Sequence, residues 1–273
     1  APYALDLLTA RWYEAKDGQL TVELPPLNAL LLLWKQEQPK KAPRTRSAGV
    51  ICPVAALPAG NGKPTLTDGK HFIDFIHQAG QRLWQVLPIN PVGLGNSPYY
   101  SPASFAGDPA FIDRDEEPDW SGLDAFCEEN AWWLDDYALY TALKPVYDNR
   151  PWYAWPEAAR KRTGLPALRE AHAAAIAEAK RDQYWFWTQW ASLKDYAHAH
   201  GVTLIGDLPL GVSDDSADVW ASPEQFQLDE TGRPSKVAGV PPDYFNPDGQ
   251  SWGNHIYDWE AMARDGYAWW VRR

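Results

Sequence analysis

Asp207 closes a β-favouring apolar run, Val202-Thr203-Leu204-Ile205, and is set off by Gly206 before it and by Leu208 and Pro209 after it. The pattern is that of a buried strand delivering one carboxylate at its tip, where a charge either meets a ligand or caps a turn. In parallel α/β folds, ligands bind at the carboxyl ends of the strands, which is where Asp207 falls. Aromatic residues offer a second chemistry. The chain has 16 Trp and 13 Tyr among 273 residues, far above ordinary usage. Flat rings of this kind pack well on sugars, whose C–H faces are apolar and whose edges are polar. Most of these aromatics are still expected to fill the core.

The elements that carry Asp207 are legible around it. From Gln183 to His200, Trp187, Trp190, Leu193, Tyr196 and Ala197 recur at helical spacing, and Gly201 stands where a helix end favours glycine. Helix, glycine and strand make half of a βα repeat. Upstream, Gly49-Val50-Ile51-Cys52-Pro53 and residues 82–89 read as two more buried strands. They flank a helix over Asp68 to Ala79 with Phe72, Ile73, Phe75 and Ile76 on one face. Residues 108–181 are too long for a bare loop. With a helix over Trp132 to Leu143 and an Ala-rich one over Leu165 to Lys180, they predict an inserted helical subdomain. Before residue 47 the pattern differs. Residues 5–8 and 19–24 flank a turn at Asp17-Gly18, and Leu-Pro-Pro-Leu-Asn-Ala-Leu-Leu-Leu-Leu at 24–33 reads as a last strand. The expected organisation is a β segment over 1–34, a linker over 35–46, and an α/β unit over 47–273.

Composition removes several classes of function. The net charge is −11; seven Lys/Arg against five Asp/Glu put residues 1–46 at +2, leaving −13 on the rest. Such a body repels nucleic acid and anionic membranes and suits a neutral substrate. Cys52 and Cys127 are too few for a disulfide scaffold and point to a reducing cytoplasm. The longest apolar run, Ala29 to Trp34, is six residues, well short of the roughly 18 of a membrane span. Nothing resembles a signal peptide, and the only methionine, Met262, places the natural start elsewhere.

Other constellations carry less. Asp214, Asp215 and Asp218 have no metal-ligand spacing and read as a helix start, with Asp215-Ser216 as its cap. His71, Asp74 and His77 suit a solvated helix face, and His198 and His200 point apart. Asp113 to Asp119 is an acidic surface run. Gly60-Asn-Gly-Lys lacks the first glycine of a phosphate loop, and Gly95-Asn-Ser-Pro-Tyr lacks the second glycine of a nucleophile elbow.

Longer motifs run in order from Arg46 to the end of the sequence. They are Ser-Ala-Gly-Val-Ile-Cys-Pro-Val-Ala-Ala-Leu-Pro at 47–58, Gln-Arg-Leu-Trp-Gln-Val-Leu-Pro-Ile-Asn-Pro at 81–91, and Gly-Asn-Ser-Pro-Tyr-Tyr-Ser-Pro-Ala-Ser-Phe-Ala-Gly-Asp-Pro at 95–109. Ile-Gly-Asp-Leu-Pro at 205–209, Asp-Ser-Ala-Asp-Val-Trp at 215–220, Gln-Phe-Gln-Leu-Asp at 225–229, Val-Ala-Gly-Val-Pro-Pro-Asp-Tyr-Phe at 237–245 and Gly-Gln-Ser-Trp-Gly-Asn at 249–254 complete the set. Together they resemble the amino-terminal signature of the amylomaltases, the 4-α-glucanotransferases of glycoside hydrolase family seventy-seven.

The resemblance implies a (β/α)8 TIM barrel, of which the sequence holds the first three strands and a helical insertion. It implies transfer of α-1,4-glucan segments between maltooligosaccharides by retaining chemistry: one carboxylate attacks, and another serves as acid and then base. No metal or organic cofactor is needed. By resemblance, Asp207 contacts the sugar at the cleavage subsite, Tyr99 stacks there beside Ser97, and Asp243, Trp252 and Asn254 belong to a loop over the glucan. Trp252 would be the acceptor platform and glycines 249 and 253 hinges. The sequence departs from the family pattern where Gly211 stands for a bulky residue and His255 for proline. The nucleophile and acid/base are expected downstream of Arg273, inside an Arg-Ile-Asp-His type of strand and beyond, so the sequence reads as an incomplete, inactive piece. Residues 1–34 resemble the end of an amylase-type sandwich. The alternatives are a noncatalytic α-glucan-binding fragment and an amylase-type hydrolase fusion.

Overall fold

Two units, residues 1–46 and 47–273, are built on different strand logic. The computed structural model describes residues 3–6, 12–16, 19–22, 32–35, 46–59 and 62–273. In the first unit, β1 (Tyr3–Asp6) lies between β2 (Trp12–Glu14) and β3 (Leu32–Lys35), both antiparallel to it. Ala4, opposite Tyr13 and Trp34, is fully buried.

Lys16 and Gln19 exchange two backbone hydrogen bonds of 2.9 Å, the closure that a turn at Asp17-Gly18 predicts. Asp17 and Gly18 themselves lie outside the described residues, as do 7–11, 23–31, 36–45 and the Gly60-Asn61 pair. The described pairing differs from a hairpin of 5–8 with 19–24: β1 takes β2 and β3 as partners instead. The turn closes only the Lys16–Gln19 bridge, and β2 is an edge strand that pairs with β1.

In the second unit a parallel sheet runs β4 (Gly49–Ile51), β5 (Leu83–Gln85), β6 (Thr203–Ile205) in that order. Val50, Trp84 and Leu204 stand in register across it. Parallel neighbours need long crossovers, and the chain supplies two. The first is α1 (Asp68–Gln78), whose Asp68 carboxylate accepts from Thr65 N at 2.8 Å and Thr65 Oγ1 at 2.9 Å. It buries Ile73 and Ile76 in a core with Trp84, Phe186 and Leu193. Phe75, expected on that face, is 66% exposed.

The second crossover contains α2 (Leu123–Val146), α3 (Glu157–Arg160), α4 (Leu165–Ala171) and α5 (Ala173–Ala199). The helices expected over 165–180 and 183–200 are divided elsewhere. The break falls at His172, and α5 continues through Arg181 and Asp182 because no glycine or proline interrupts it. Inside α5, Gln183 is fully buried. Its amide accepts from Gly107 N at 2.8 Å and donates to Gly107 O at 2.9 Å, tying the helix to the loop beyond β5. The helix ends at Gly201, whose φ of +66° is one that side chains resist, and β6 follows at once.

Beyond β6 come α6 (Ala217–Ala221), the antiparallel hairpin β7 (Val237–Val240) and β8 (Gln250–His255), α7 (Trp259–Arg264) and α8 (Ala268–Arg272). Ser216 caps α6 by accepting from Val219 N at 3.2 Å, so the cap is the serine and not Asp215. A second core gathers Trp133, Tyr140, Trp155, Trp220, Phe226 and Trp269 between α2, α6 and the last two helices. Among the described residues, no helix is long and apolar enough to cross a membrane.

Candidate functional site

The carboxyl end of β6 hands the chain to Gly206 and Asp207, and the loop after β5 brings Tyr99 to meet it. Tyr99 Oη donates to Asp207 Oδ2 at 2.6 Å. This bond, with some burial and the negative charge of Asp207, raises the phenol pKa. The loop carrying Tyr99 is braced from within. Asn90 Nδ2 donates to Ser104 O at 3.1 Å and Ala106 O at 2.9 Å, and Ser97 Oγ accepts from Tyr99 N at 3.3 Å. The tyrosine ring is 45% exposed, so the pair is set firmly but open to solvent.

Beside this pair lies a cleft of about 1000 Å³. It is lined by Ser97, Tyr99 and Tyr100 from the loop after β5, by Leu208, Leu210 and Gly211 from the segment after β6, and by Trp252, Asn254, His255, Tyr257 and Trp259 from β8 and the chain beyond it. Three segments far apart in sequence therefore converge. Tyr257 Oη ties two of them by donating to Leu210 O at 2.9 Å. Trp252 and Trp259 are 53% and 52% exposed, and Trp252 Nε1 is steered by Gln250 Oε1 at 3.1 Å. The mix of flat aromatic faces and few polar groups suits a ligand with apolar faces and polar edges.

Of the residues singled out in the sequence, Ser97, Tyr99, Trp252 and Asn254 line this cleft, and Asp207 reaches it through Tyr99. Asp243 does not line it. Its Oδ1 accepts from Phe245 N at 2.9 Å and Asn246 N at 2.8 Å, organising the exposed turn between β7 and β8. That turn holds out Tyr244 and Phe245, which are 96% and 88% exposed. Glycines 249 and 253 both have positive φ, 71° and 76°, at the turn and within β8.

The aspartates after Pro209 are engaged elsewhere. Asp214 accepts from Tyr100 Oη and from Tyr153 Oη. Burial, and then the Asp214 carboxylate, push the Tyr100 phenol up to about 12. Asp215 takes Tyr140 Oη at 2.6 Å, Lys144 Nζ at 2.6 Å and Trp152 N at 3.1 Å, which joins α2 to the segment before α6. Asp218 accepts from Ser104 N at 2.8 Å and Trp269 Nε1 at 3.2 Å, and desolvation raises its carboxyl pKa. These three are structural braces between distant segments, beyond the local helix start that their spacing suggests. Among the described residues, no group of three or more His, Cys, Asp or Glu is arranged to hold a metal ion.

Gly211 and His255, where the resemblance implies a bulky residue and a proline, both line the cleft. A Cβ built on Gly211 would lie 2.5 Å from Asn254 Nδ2, so only glycine permits that approach without displacing the carboxamide. His255 is 3% exposed, and among the described residues neither ring nitrogen has a hydrogen-bond partner of ordinary geometry; burial lowers its pKa, opposed by the approach of the Asp214 backbone and by the Asp214 charge. Tyr100, Leu208, Leu210, Tyr257 and Trp259 were not legible as site residues. They come from loops and strand ends without periodicity, and only the doubled Tyr99-Tyr100 hints at one of them.

A protein-family profile described as 4-alpha-glucanotransferase matches residues 52–122 and 114–273. A 4-alpha-glucanotransferase of Thermus thermophilus is 41% identical over 276 residues, covering 84% of this chain and 55% of that protein. One of Streptococcus pneumoniae serotype 4 is 35% identical over 280 residues, covering 84% and 55%. The amylomaltase from Streptococcus agalactiae, solved in complex with acarbose, is similar with a TM-score of 0.77 at 30% identity, covering 84% of this chain and 56% of that one. The chain spans about half the length of the curated relatives it matches.

Proposed function

The chain belongs to the 4-alpha-glucanotransferase family, and from that premise we propose that it forms the glucan-binding part of a retaining 4-α-glucanotransferase of the cytoplasm. The observation that carries this reading is the convergence of Ser97, Tyr99, Trp252 and Asn254 on one aromatic cleft, with Asp207 held at its edge. In this reading the cleft takes an α-1,4-glucan or a maltooligosaccharide. Tyr99 and Trp252 offer ring faces to the sugars, and Asp207 accepts from their hydroxyl groups. Asp243 shapes the turn that carries Tyr244 and Phe245 over the glucan. The three parallel strands are the first three of a (β/α)8 barrel, the helices over 108–181 an inserted subdomain, and residues 1–34 a separate β segment.

We assign the nucleophile and the acid/base to the part of the relatives' length that this sequence does not cover. A retaining mechanism needs two carboxyl groups facing one cleft, about 5 Å apart. The residues lining this cleft include no Asp or Glu, and Asp214, Asp215 and Asp218 are bonded into the scaffold. The same fact favours, as second reading, a noncatalytic α-glucan-binding module.

The test is the product ladder from maltotriose, comparing the 273-residue chain with a version extended by the remaining family length. Glucose plus longer maltooligosaccharides from the extended form alone fits the transferase reading. Binding of maltooligosaccharides without turnover by either form supports the module. Turnover by the short chain overturns the assignment of the nucleophile outside it.

A further inference from the structure

Asn254 and His255 are neighbouring polar side chains of the cleft, and among the described residues neither His255 ring nitrogen has a hydrogen-bond partner of ordinary geometry. The Asn254 carboxamide rests on the backbone of Gly211. A Cβ there would stand 2.5 Å from its Nδ2, 2.8 Å from its Cγ and 3.1 Å from its Cβ. Any side chain at position 211 therefore moves Asn254. His255 packs its ring on Phe226 at 5.7 Å between centroids and lies close to Asp214. Folded proteins seldom leave a buried imidazole without partners. Beside an open cleft, the missing partners are those a ligand brings.

We propose that Asn254 and His255, admitted by the bare backbone of Gly211, are specificity-determining residues that hydrogen-bond neighbouring hydroxyl groups of a glucan in the cleft. The inference rests on reading the cleft as a glucan site and adds to it the roles of Gly211 and His255. Neighbouring sugar hydroxyls each donate and accept. A carboxamide and a neutral imidazole offer the same pair of capacities, one donor and one acceptor side each. The imidazole nitrogens are closed off in the unliganded cleft, so ligand entry shifts a contact. The contact that yields is the carboxamide against Gly211.

The experiment titrates maltoheptaose into the full 273-residue chain, alongside Gly211→Ala, Gly211→Phe, His255→Phe and His255→Gln, with an unfolding curve for each. The expected result is binding weakened about tenfold in His255→Phe and kept within about twofold in His255→Gln, the loss and rescue of one hydrogen-bonding group. Gly211→Phe should weaken binding at least as much, and Gly211→Ala several-fold. Binding by His255→Phe equal to that of the parent chain, at an equal or higher unfolding midpoint, overturns the proposal and makes the ring an ordinary core histidine. If His255→Phe does not fold, unchanged binding by Gly211→Ala overturns it instead. No maltoheptaose binding by the parent chain overturns the glucan reading of the cleft and this inference with it; parent binding with indifferent variants overturns this inference alone.

Discussion

Asp207 and Asp215 lie in one loop region beyond β6, yet the structure treats the two carboxylates in opposite ways. Among the described residues, the Asp207 carboxylate has one hydrogen-bond partner, a half-exposed tyrosine from a different loop. Asp215 has three, from Tyr140, Lys144 and the Trp152 backbone, and its ion pair with Lys144 measures 2.6 Å. A carboxylate offers about four lone-pair directions. Asp215 uses most of its own within the scaffold, while Asp207 leaves most of its own open. Bonding capacity left open at a cleft separates the candidate binding carboxylate from the bracing ones. Residue type and loop position do not.

The largest test of that contrast is Asp215→Ala. It strands a partly buried lysine, a tyrosine hydroxyl and a backbone N–H, and should lower unfolding stability by about 2–4 kcal/mol, discounted for partial exposure. A loss below about 1 kcal/mol in urea denaturation would mean that the bonded aspartate is no brace. At Asp207 the pattern should invert. Asp207→Asn and Tyr99→Phe should each change stability by less than about 1 kcal/mol while weakening maltooligosaccharide binding on the order of tenfold. Equal damage to folding and binding would erase the distinction.

Trp252→Ala removes an exposed platform and should weaken binding several-fold, about 1 kcal/mol, with little effect on folding; in a completed enzyme, acceptor use should fall more than donor cleavage. The smallest effect is a pH dependence. His255 has its pKa lowered from 6.5 by burial, so the unfolded chain binds more protons than the folded one just below that value. Stability is therefore full above about pH 6.5 and declines as pH falls through the window beneath it. His255→Phe should flatten that decline by a fraction of a kcal/mol, read from unfolding curves at a series of pH values; an unchanged slope would assign the titration to another group.

What the sequence by itself determined is local or patterned. The run Val202 to Ile205 with Gly201 before it and Asp207 after it specified a helix end, a strand and a carboxylate at its tip, because apolar β-branched runs and glycine punctuation act within a few residues. The order of motifs from residue 47 onward specified the family. The tertiary structure decided what depends on long-range closure. It seated Gln183 of the helix over 173–199 on the Gly107 backbone, and it set Asp243 to organise the turn between β7 and β8 instead of lining the cleft. It also brought Tyr100, Leu210, Tyr257 and Trp259 to one cleft and laid Asn254 on Gly211. Such contacts form between loops whose sequences carry no period, and the energy that selects them, close packing and the filling of hydrogen-bonding capacity, exists only once distant segments have met.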